Sequence, residues 1–274
     1  MSREKEVRAL WLFVGIVLGL SVLHWIVFFL ADRAGLRLNR FVFGVIRSYG
    51  PTLAALTALS WSGGRPALRR LWSRIVRWQV PGRLYALVFL GAASTLLVIV
   101  GSIRWWGSPS LVPAAVNPLK LIAIFVMMIL LDGPLGEEPG WRGFFLPQLM
   151  RRHSPFVATA LVAAVWFLWH LPLYHADGTD LTRIYLAKYL LFTLALSFLH
   201  TWFFTRSGGS VFLSVVFHNS TNYIVLLGFT IFPSFRAETL PGQIYFVCAM
   251  VLGGLAALSV WRNGRVATSA PTPP

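Results

Sequence analysis

Apolar positions along this chain occur in eight runs of about twenty residues, separated by short segments rich in arginine. The runs lie at 9–31, 41–61, 84–103, 119–136, 155–174, 184–205, 210–232 and 241–261. A bilayer core of about 30 Å is crossed by roughly 20 helical residues. Helices are expected because lipid offers no partners for backbone polar groups. The pattern predicts an all-α polytopic membrane protein, a bundle of about eight transmembrane helices.

The fourth run contains residues that interrupt a helix. The tripeptide Asp-Gly-Pro at 132–134 falls inside it, and Pro139 follows the two glutamates Glu137 and Glu138. Proline fits the first turn of a helix, where its missing N–H has no acceptor to lose. We therefore predict a broken fourth helix that restarts at Pro139. Both glutamates then lie at or just before a helix N-terminus, where the macrodipole favours carboxylates.

Composition supports the membrane class and limits the partners. Hydrophobic residues make up 57% of the chain and charged residues 12%, against about 45–50% and about 25% in soluble domains. The net charge of +15 comes from arginines between the runs, where they act as topology signals and contact lipid headgroups. Since no basic stripe with interleaved aromatics lies elsewhere, we predict the lipid bilayer as a partner and no nucleic acid.

Loop charges and polar segments predict the orientation and division of the chain. With the N-terminus inside, the inner loops hold about twice as many lysines and arginines as the outer ones, which places both termini in the cytoplasm. We distinguish three N-terminal helices without a readable motif (1–118), a core of helices four to seven (119–232), the last helix (233–262) and a polar, proline-rich tail predicted to be disordered (263–274).

Polar residues inside the apolar runs are functional-site candidates, because each ionisable group costs free energy at membrane depth. Most lie on helices four to seven: Asp132, Glu137, Glu138, Arg142, His170, His200, His218, Asn219 and Asn222. His200, and His24 on the first helix, lack a clear polar partner at helical spacing and are interpreted as structural. The role of Asp132 stays open.

Glu138 and Arg142 are four residues apart, close enough on a helix for an ion pair. Glu137 then points elsewhere and is available for chemistry. In the alternative, the pair only stabilises the fold and Glu137 is solvated at the interface.

Two further clusters lie downstream. His170 ends the sequence WFLWH, four residues after Trp166, and is either a catalyst or a packed, hydrogen-bonded residue. His218 and Asn222 are four residues apart within HNSTN, so they project from one helix face into the same cavity. Asn219 and its neighbours can join helices by hydrogen bonds.

A carboxylate, two imidazoles and an amide on three helices suit hydrolysis, with a base that activates water and donors that hold an oxyanion. Two histidines and a glutamate also suit a catalytic zinc with one open position. The chain has no HExxH and no GxSxG, and its single cysteine, Cys248, has no histidine nearby in sequence. A zincin-type site is therefore excluded, and a serine or cysteine nucleophile is unsupported.

Three motifs together resemble the CPBP family of intramembrane proteases. They are EEPGWR at 137–142, WFLWH at 166–170 and HNSTN at 218–222, in the family's order and each in an apolar run. The family includes the type II CAAX prenyl endopeptidases and bacterial relatives linked to bacteriocin processing and immunity. One departure is Trp166, where the family most often has phenylalanine.

The resemblance implies a role for each matched residue. Glu137, assisted by His170, would activate water, while His218 and Asn222 would hold the oxyanion. Glu138 and Arg142 would support the site. In a second version, the family acts as zinc metalloproteases with Glu137, His170 and His218 as ligands, and the sequence does not choose between the two.

The expected function is an intramembrane endopeptidase that cuts a peptide or protein, with or without an attached lipid, near the cytoplasmic face of a bacterial plasma membrane. One alternative is a non-catalytic scaffold or bacteriocin-immunity protein of the same fold. Another is a proton-coupled transporter, against which stands the lack of an internal repeat.

Overall fold

The computed structural model describes residues 3–105, 117–131, 133–176, 181–231 and 240–269, and this part of the chain contains helices and no strand. The helices are α1 (Arg3–Arg33), α2 (Arg40–Ser48), α3 (Gly50–Ile75), α4 (Gly82–Trp105), α5 (Pro118–Leu131), α6 (Pro134–Glu138), a π-helical turn (Pro139–Phe145), α7 (Leu146–Met150), α8 (Pro155–Ala176), α9 (Arg183–Arg206), α10 (Val211–Ile231) and α11 (Leu240–Ser269).

The apolar runs correspond to these helices. Within the described residues, 7 helical stretches are long and apolar enough to cross a membrane. The remaining run, in α10, has a shorter apolar part at Val211–Leu227. The prediction of an all-α polytopic membrane protein is confirmed.

The second run differs from its prediction. Two helices, α2 and α3, meet at Tyr49, and α3 continues past the predicted end at residue 61 to Ile75. The chain bends at Gly64, which has non-helical dihedral angles, near the start of this extension. The extension is helical because Ala67 and Leu71, four residues apart, are buried on one face while arginines occupy the rest.

The fourth helix is broken, as predicted, but it restarts at Pro134 rather than at Pro139. Gly133 precedes this start with φ of 104°, a conformation that side chains other than glycine rarely adopt. Pro134 occupies the first helical position, and the N–H of Glu137 closes the first turn on the Gly133 carbonyl at 2.8 Å. Pro139 comes too late to start the helix; it removes an interior N–H, and the chain widens there into the π-helical turn.

The C-terminal segment also departs from its prediction. Helix α11 runs to Ser269, so the first part of the tail predicted to be disordered is helical. No proline lies between Pro241, in the first turn of this helix, and Pro271, so none interrupts it over this range. Residues 270–274 lie outside the described part of the chain, as does Asp132.

The N-terminal helices support the interrupted segment directly. Phe13 of α1 packs on Trp141 and Phe145 of the π-helical turn, with ring centroids 5.6 and 4.9 Å apart. The Thr52 hydroxyl of α3 donates to the Gly136 carbonyl at 2.6 Å. Gly140 lies so close to the α3 backbone that a Cβ there would clash with Pro51. Residues 1–118, which carry no readable motif, thus contain the surfaces that position the fourth helix.

Candidate active site

The polar residues from four helices converge inside the bundle. Glu137 and Glu138 end α6, and Arg142 follows on the π-helical turn. The histidines come from three other helices: His170 from α8, His200 from α9 and His218 from α10. The cluster therefore joins segments that lie up to 80 residues apart in sequence.

Glu138 is the most enclosed carboxylate of this cluster. Its Oε1 accepts hydrogen bonds from Arg142 Nη1 at 2.9 Å and from His218 Nδ1 at 2.8 Å. Glu138 and Arg142 are both 0% exposed. The predicted Glu138–Arg142 ion pair is confirmed, and the contact with His218 shows that the pair also positions a residue of the third motif.

His200 lies in this cluster, although it was interpreted as structural from the sequence. Its Nδ1 is 3.5 Å from Glu138 Oε2, and its ring meets that of His218 edge-on at 5.6 Å. Neither ring nitrogen has a hydrogen-bond partner among the described residues. His24, by contrast, packs its ring on Phe28 at 4.7 Å.

The residues around His200 on α9 carry a sequence signal for its position. Thr193, Ser197, His200 and Thr201 recur at helical spacing along one face of α9, and all four are buried. A polar stripe of this kind in a membrane helix indicates a face turned toward the bundle interior.

Glu137 is held by neutral donors. Its Oε2 accepts from the indole N–H of Trp166 at 3.0 Å and from that of Trp141 at 3.4 Å. Glu137 therefore points away from the Glu138–Arg142 pair, as the spacing predicted, but two tryptophans fix it.

Trp166 is the residue that connects the three motifs. Besides its bond to Glu137, its ring lies 5.7 Å from the His170 ring and 5.8 Å from the His218 ring. The guanidinium carbon of Arg142 sits 5.0 Å from the same ring centroid. The sequence indicated only a packing aromatic here, whereas the structure adds a hydrogen-bond donor aimed at Glu137.

The tautomer of His170 follows from its hydrogen bond. Its Nδ1 is 2.9 Å from the carbonyl oxygen of Trp166, one helical turn earlier. Because a carbonyl oxygen only accepts, Nδ1 carries the proton, and Nε2 of the neutral ring carries the lone pair. Tyr174 stacks on the ring and Tyr189 meets its edge, each at 5.7 Å. His170 is thus an oriented acceptor in a half-buried position.

The residues of the third motif have two different surroundings. His218 is 5% exposed and Asn222 is half-buried one turn later. Asn219 instead donates to the Phe125 carbonyl of α5 at 2.9 Å, which confirms that it joins helices.

Glu138, His200 and His218 form the one group among the described residues that has the composition of a metal site, with ligand atoms within 4.8 Å of one another. Glu137 and His170, predicted as zinc ligands with His218, are not part of it. Glu138 Oε2 and both His200 ring nitrogens are buried without a hydrogen-bond partner among the described residues, as ligand atoms of an absent ion would be. Against zinc, Glu138 Oε1 already binds the Arg142 cation, and His218 turns its Nδ1 to that same oxygen. A dication would replace these bonds and face the Arg142 charge.

Comparison with known proteins identifies one matching segment. Residues 118–224 match the family model described as type II CAAX prenyl endopeptidase Rce1-like. A CAAX prenyl protease 2 from Methanococcus maripaludis is 31% identical over 99 residues, which cover 34% of this chain and 36% of that relative. The alignment thus spans about a third of the relative's length. The family model spans all three motifs, and both matches support the resemblance to CAAX prenyl proteases.

Proposed function

We propose that this protein is an intramembrane endopeptidase that hydrolyses a peptide bond near the cytoplasmic face of the membrane. The observation that carries the proposal is the Glu137 carboxylate, held by two indole N–H groups, one of them from the Trp166 ring that also packs against His170 and His218. Because its hydrogen-bond donors are neutral, the carboxylate is free to accept a proton. The His170 ring packs against Trp166, one of these two donors. The match to a CAAX prenyl endopeptidase model supports this reaction class.

In the first step, a water molecule bound between Glu137 and His170 loses a proton to the Glu137 carboxylate. The lone pair on His170 Nε2 accepts the second hydrogen of the water and so orients it. The water oxygen then bonds to the carbonyl carbon of the substrate, and the electron pair of the C=O bond moves onto the carbonyl oxygen.

His218 and Asn222 receive the negative charge that develops on that oxygen. The Asn222 amide donates an N–H, and His218 donates from Nε2 when both ring nitrogens carry protons. Glu138 supports this form of the ring because it accepts the Nδ1–H of His218 at 2.8 Å. Donors held in place in this way act where charge appears in the transition state.

Collapse of the tetrahedral intermediate completes the reaction. The oxyanion electrons re-form the C=O bond as the C–N bond breaks, and the leaving nitrogen takes the proton that Glu137 acquired. A carboxylic acid and an amine result, and Glu137 returns to its ionised form. No step of this proposal needs a metal.

The substrate in this proposal is a peptide or protein segment in the bilayer, with or without an attached lipid. The proposal takes both termini to be cytoplasmic, because the loops on that side hold about twice as many lysines and arginines as those on the other. The site would then open toward the cytoplasmic half of a bacterial plasma membrane.

Cleavage of a membrane-peptide library tests the proposal. Wild type and Glu137→Ala, each reconstituted in liposomes, are incubated with the library, and the products are identified by mass spectrometry. Glu4→Ala is the control, since Glu4 is an exposed acid whose side chain is 72% accessible. We expect products from wild type and Glu4→Ala that are missing with Glu137→Ala. Identical product sets from all three would support the non-catalytic scaffold instead.

A further inference from the structure

A second polar cavity lies at the basic end of the helices, apart from the Glu137 cluster. It measures about 360 Å³ and is bordered by α1, α3, the π-helical turn and α7. Its polar lining includes Arg70, Arg74, Arg151, Glu6 and Gln148. The proposed hydrolysis uses none of these side chains.

Positive charge is concentrated around this cavity. Arg70 and the half-buried Arg74 lie one turn apart on α3, and both line the cavity together with Arg151. Among the described lining residues Glu6 is the one acid, and its carboxylate binds Arg151 at 2.9 Å and Arg152 at 3.2 Å. Arg70 and Arg74 therefore face the cavity with their charges uncompensated by it. Like charges this close repel one another unless an anion lies between them.

Gln148 also lines the cavity and has a buried amide oxygen, Oε1, without a hydrogen-bond partner within the described part of the chain. The residue is 8% exposed. Buried polar atoms are nearly always paired. The two ends of an amide are assigned from their surroundings, so Gln148 can turn its NH₂ group into the cavity. It would then add a neutral donor to the arginines.

The cavity is linked to the segment that carries the glutamates. Arg74 Nη1 donates to the Gly143 carbonyl at 3.1 Å. Gly143 follows Arg142 in the π-helical turn, where the wider helix changes the partners of the carbonyl groups. A ligand that holds the Arg74 guanidinium therefore also holds this turn.

We propose that this cavity binds a phosphate oxyanion, with Arg70 and Arg74 as its cationic donors. The planar guanidinium group matches the oxygens of a phosphate and binds them in pairs. The phosphate belongs either to the headgroup of an anionic phospholipid or to free inorganic phosphate. Basic pockets between membrane helices are suited to such headgroups. Binding keeps Arg74 against Gly143 and so stabilises the π-helical turn.

Two probes and one pair of variants test this site. The full-length protein in detergent is first stripped of lipid and then titrated with phosphatidylglycerol or phosphatidylcholine, and native mass spectrometry measures the retained lipid. A parallel arm compares thermal unfolding in sodium phosphate and in sodium chloride at equal ionic strength. Arg70→Gln removes one donor, while Arg69→Gln removes the same charge from an exposed neighbour on α3 that does not line the cavity.

We expect Arg70→Gln to bind phosphatidylglycerol about tenfold more weakly than wild type, equivalent to about 1.4 kcal/mol, with Arg69→Gln unchanged. This contrast in the lipid arm identifies a headgroup site, and the same contrast in the phosphate arm alone identifies a free anion. Equal loss in both variants would mean general surface attraction and would overturn the proposal. The same holds if Arg70→Gln binds both probes as wild type does, or if wild type prefers neither phosphatidylglycerol nor phosphate.

Discussion

Glu137 and Glu138 are adjacent in one short helix, yet they lie in two different surroundings. Glu138 is 0% exposed and binds the Arg142 cation and the His218 ring through one oxygen. Glu137 is 5% exposed and accepts from two neutral indoles. Successive helical residues point about 100° apart, so neighbours readily face different partners. A carboxylate beside a full cation thus serves as a structural anchor, while one held by neutral donors stays available for proton transfer.

The largest effect is expected from Glu138→Gln, which keeps the shape of the side chain and removes its charge. Arg142 then becomes a buried cation without its partner, and we expect a loss of about 3–5 kcal/mol in the free energy of unfolding. Thermal unfolding in detergent measures this loss. Activity should fall with it because His218 loses its anchor. A melting temperature equal to that of wild type would contradict the structural role.

Glu137→Gln makes the same substitution at the other glutamate. We expect cleavage to fall by about 10²–10⁴-fold, the usual contribution of a general base, while the melting temperature stays close to that of wild type. Single-turnover kinetics on a cleaved peptide, together with thermal unfolding, measure both quantities. Equal damage to stability from Glu137→Gln and Glu138→Gln would remove the distinction between the two residues.

Trp166→Phe changes the surroundings of Glu137 and leaves the bonds of Glu138 in place. It keeps an aromatic ring among the histidines and removes the N–H that donates to Glu137 at 3.0 Å. A hydrogen bond to a charged group contributes about 1.5–3 kcal/mol, so we expect a decrease of about tenfold or more in kcat with KM nearly unchanged. The control is Trp202→Phe, which removes an indole bond to Ser259 outside the site. An equal fall in kcat in both variants would contradict a positioning role for Trp166.

The smallest expected effect is that of metal removal. If Glu138 anchors Arg142 and His218 rather than a metal ion, dialysis against a strong zinc chelator should leave cleavage unchanged. The check is the cleavage rate before and after treatment, with zinc added back. Loss of activity that zinc restores, and that His200→Ala makes permanent, would assign Glu138, His200 and His218 to a metal site.

Several features of the fold follow from local rules. Apolar runs of about twenty residues predict membrane helices at their observed places. Spacing of four residues predicts the Glu138–Arg142 pair because that distance is one helical turn. The prediction that the fourth helix restarts at Pro139 was wrong. The preference of proline for the first turn of a helix fits both Pro134 and Pro139, and only the backbone conformation of Gly133 distinguishes them.

Other features depend on packing between distant helices. The sequence places His200 on α9 but cannot show that its ring lies beside Glu138, since their contact crosses 62 positions of chain. The donation from Trp166 to Glu137 likewise joins separate helices, and a Phe-like packing role was the simpler interpretation.

By itself the sequence determined the membrane class, the helices, the break in the fourth helix and the motifs that resemble a protease family, because these depend on residues close together along the chain. Tertiary structure alone decided which glutamate is enclosed by charges and which by indoles. It also placed His200 beside Glu138 and formed the arginine-lined cavity. The physical reason is that helix rotation and packing set each side chain's neighbours, and those neighbours come from segments that local periodicity does not relate.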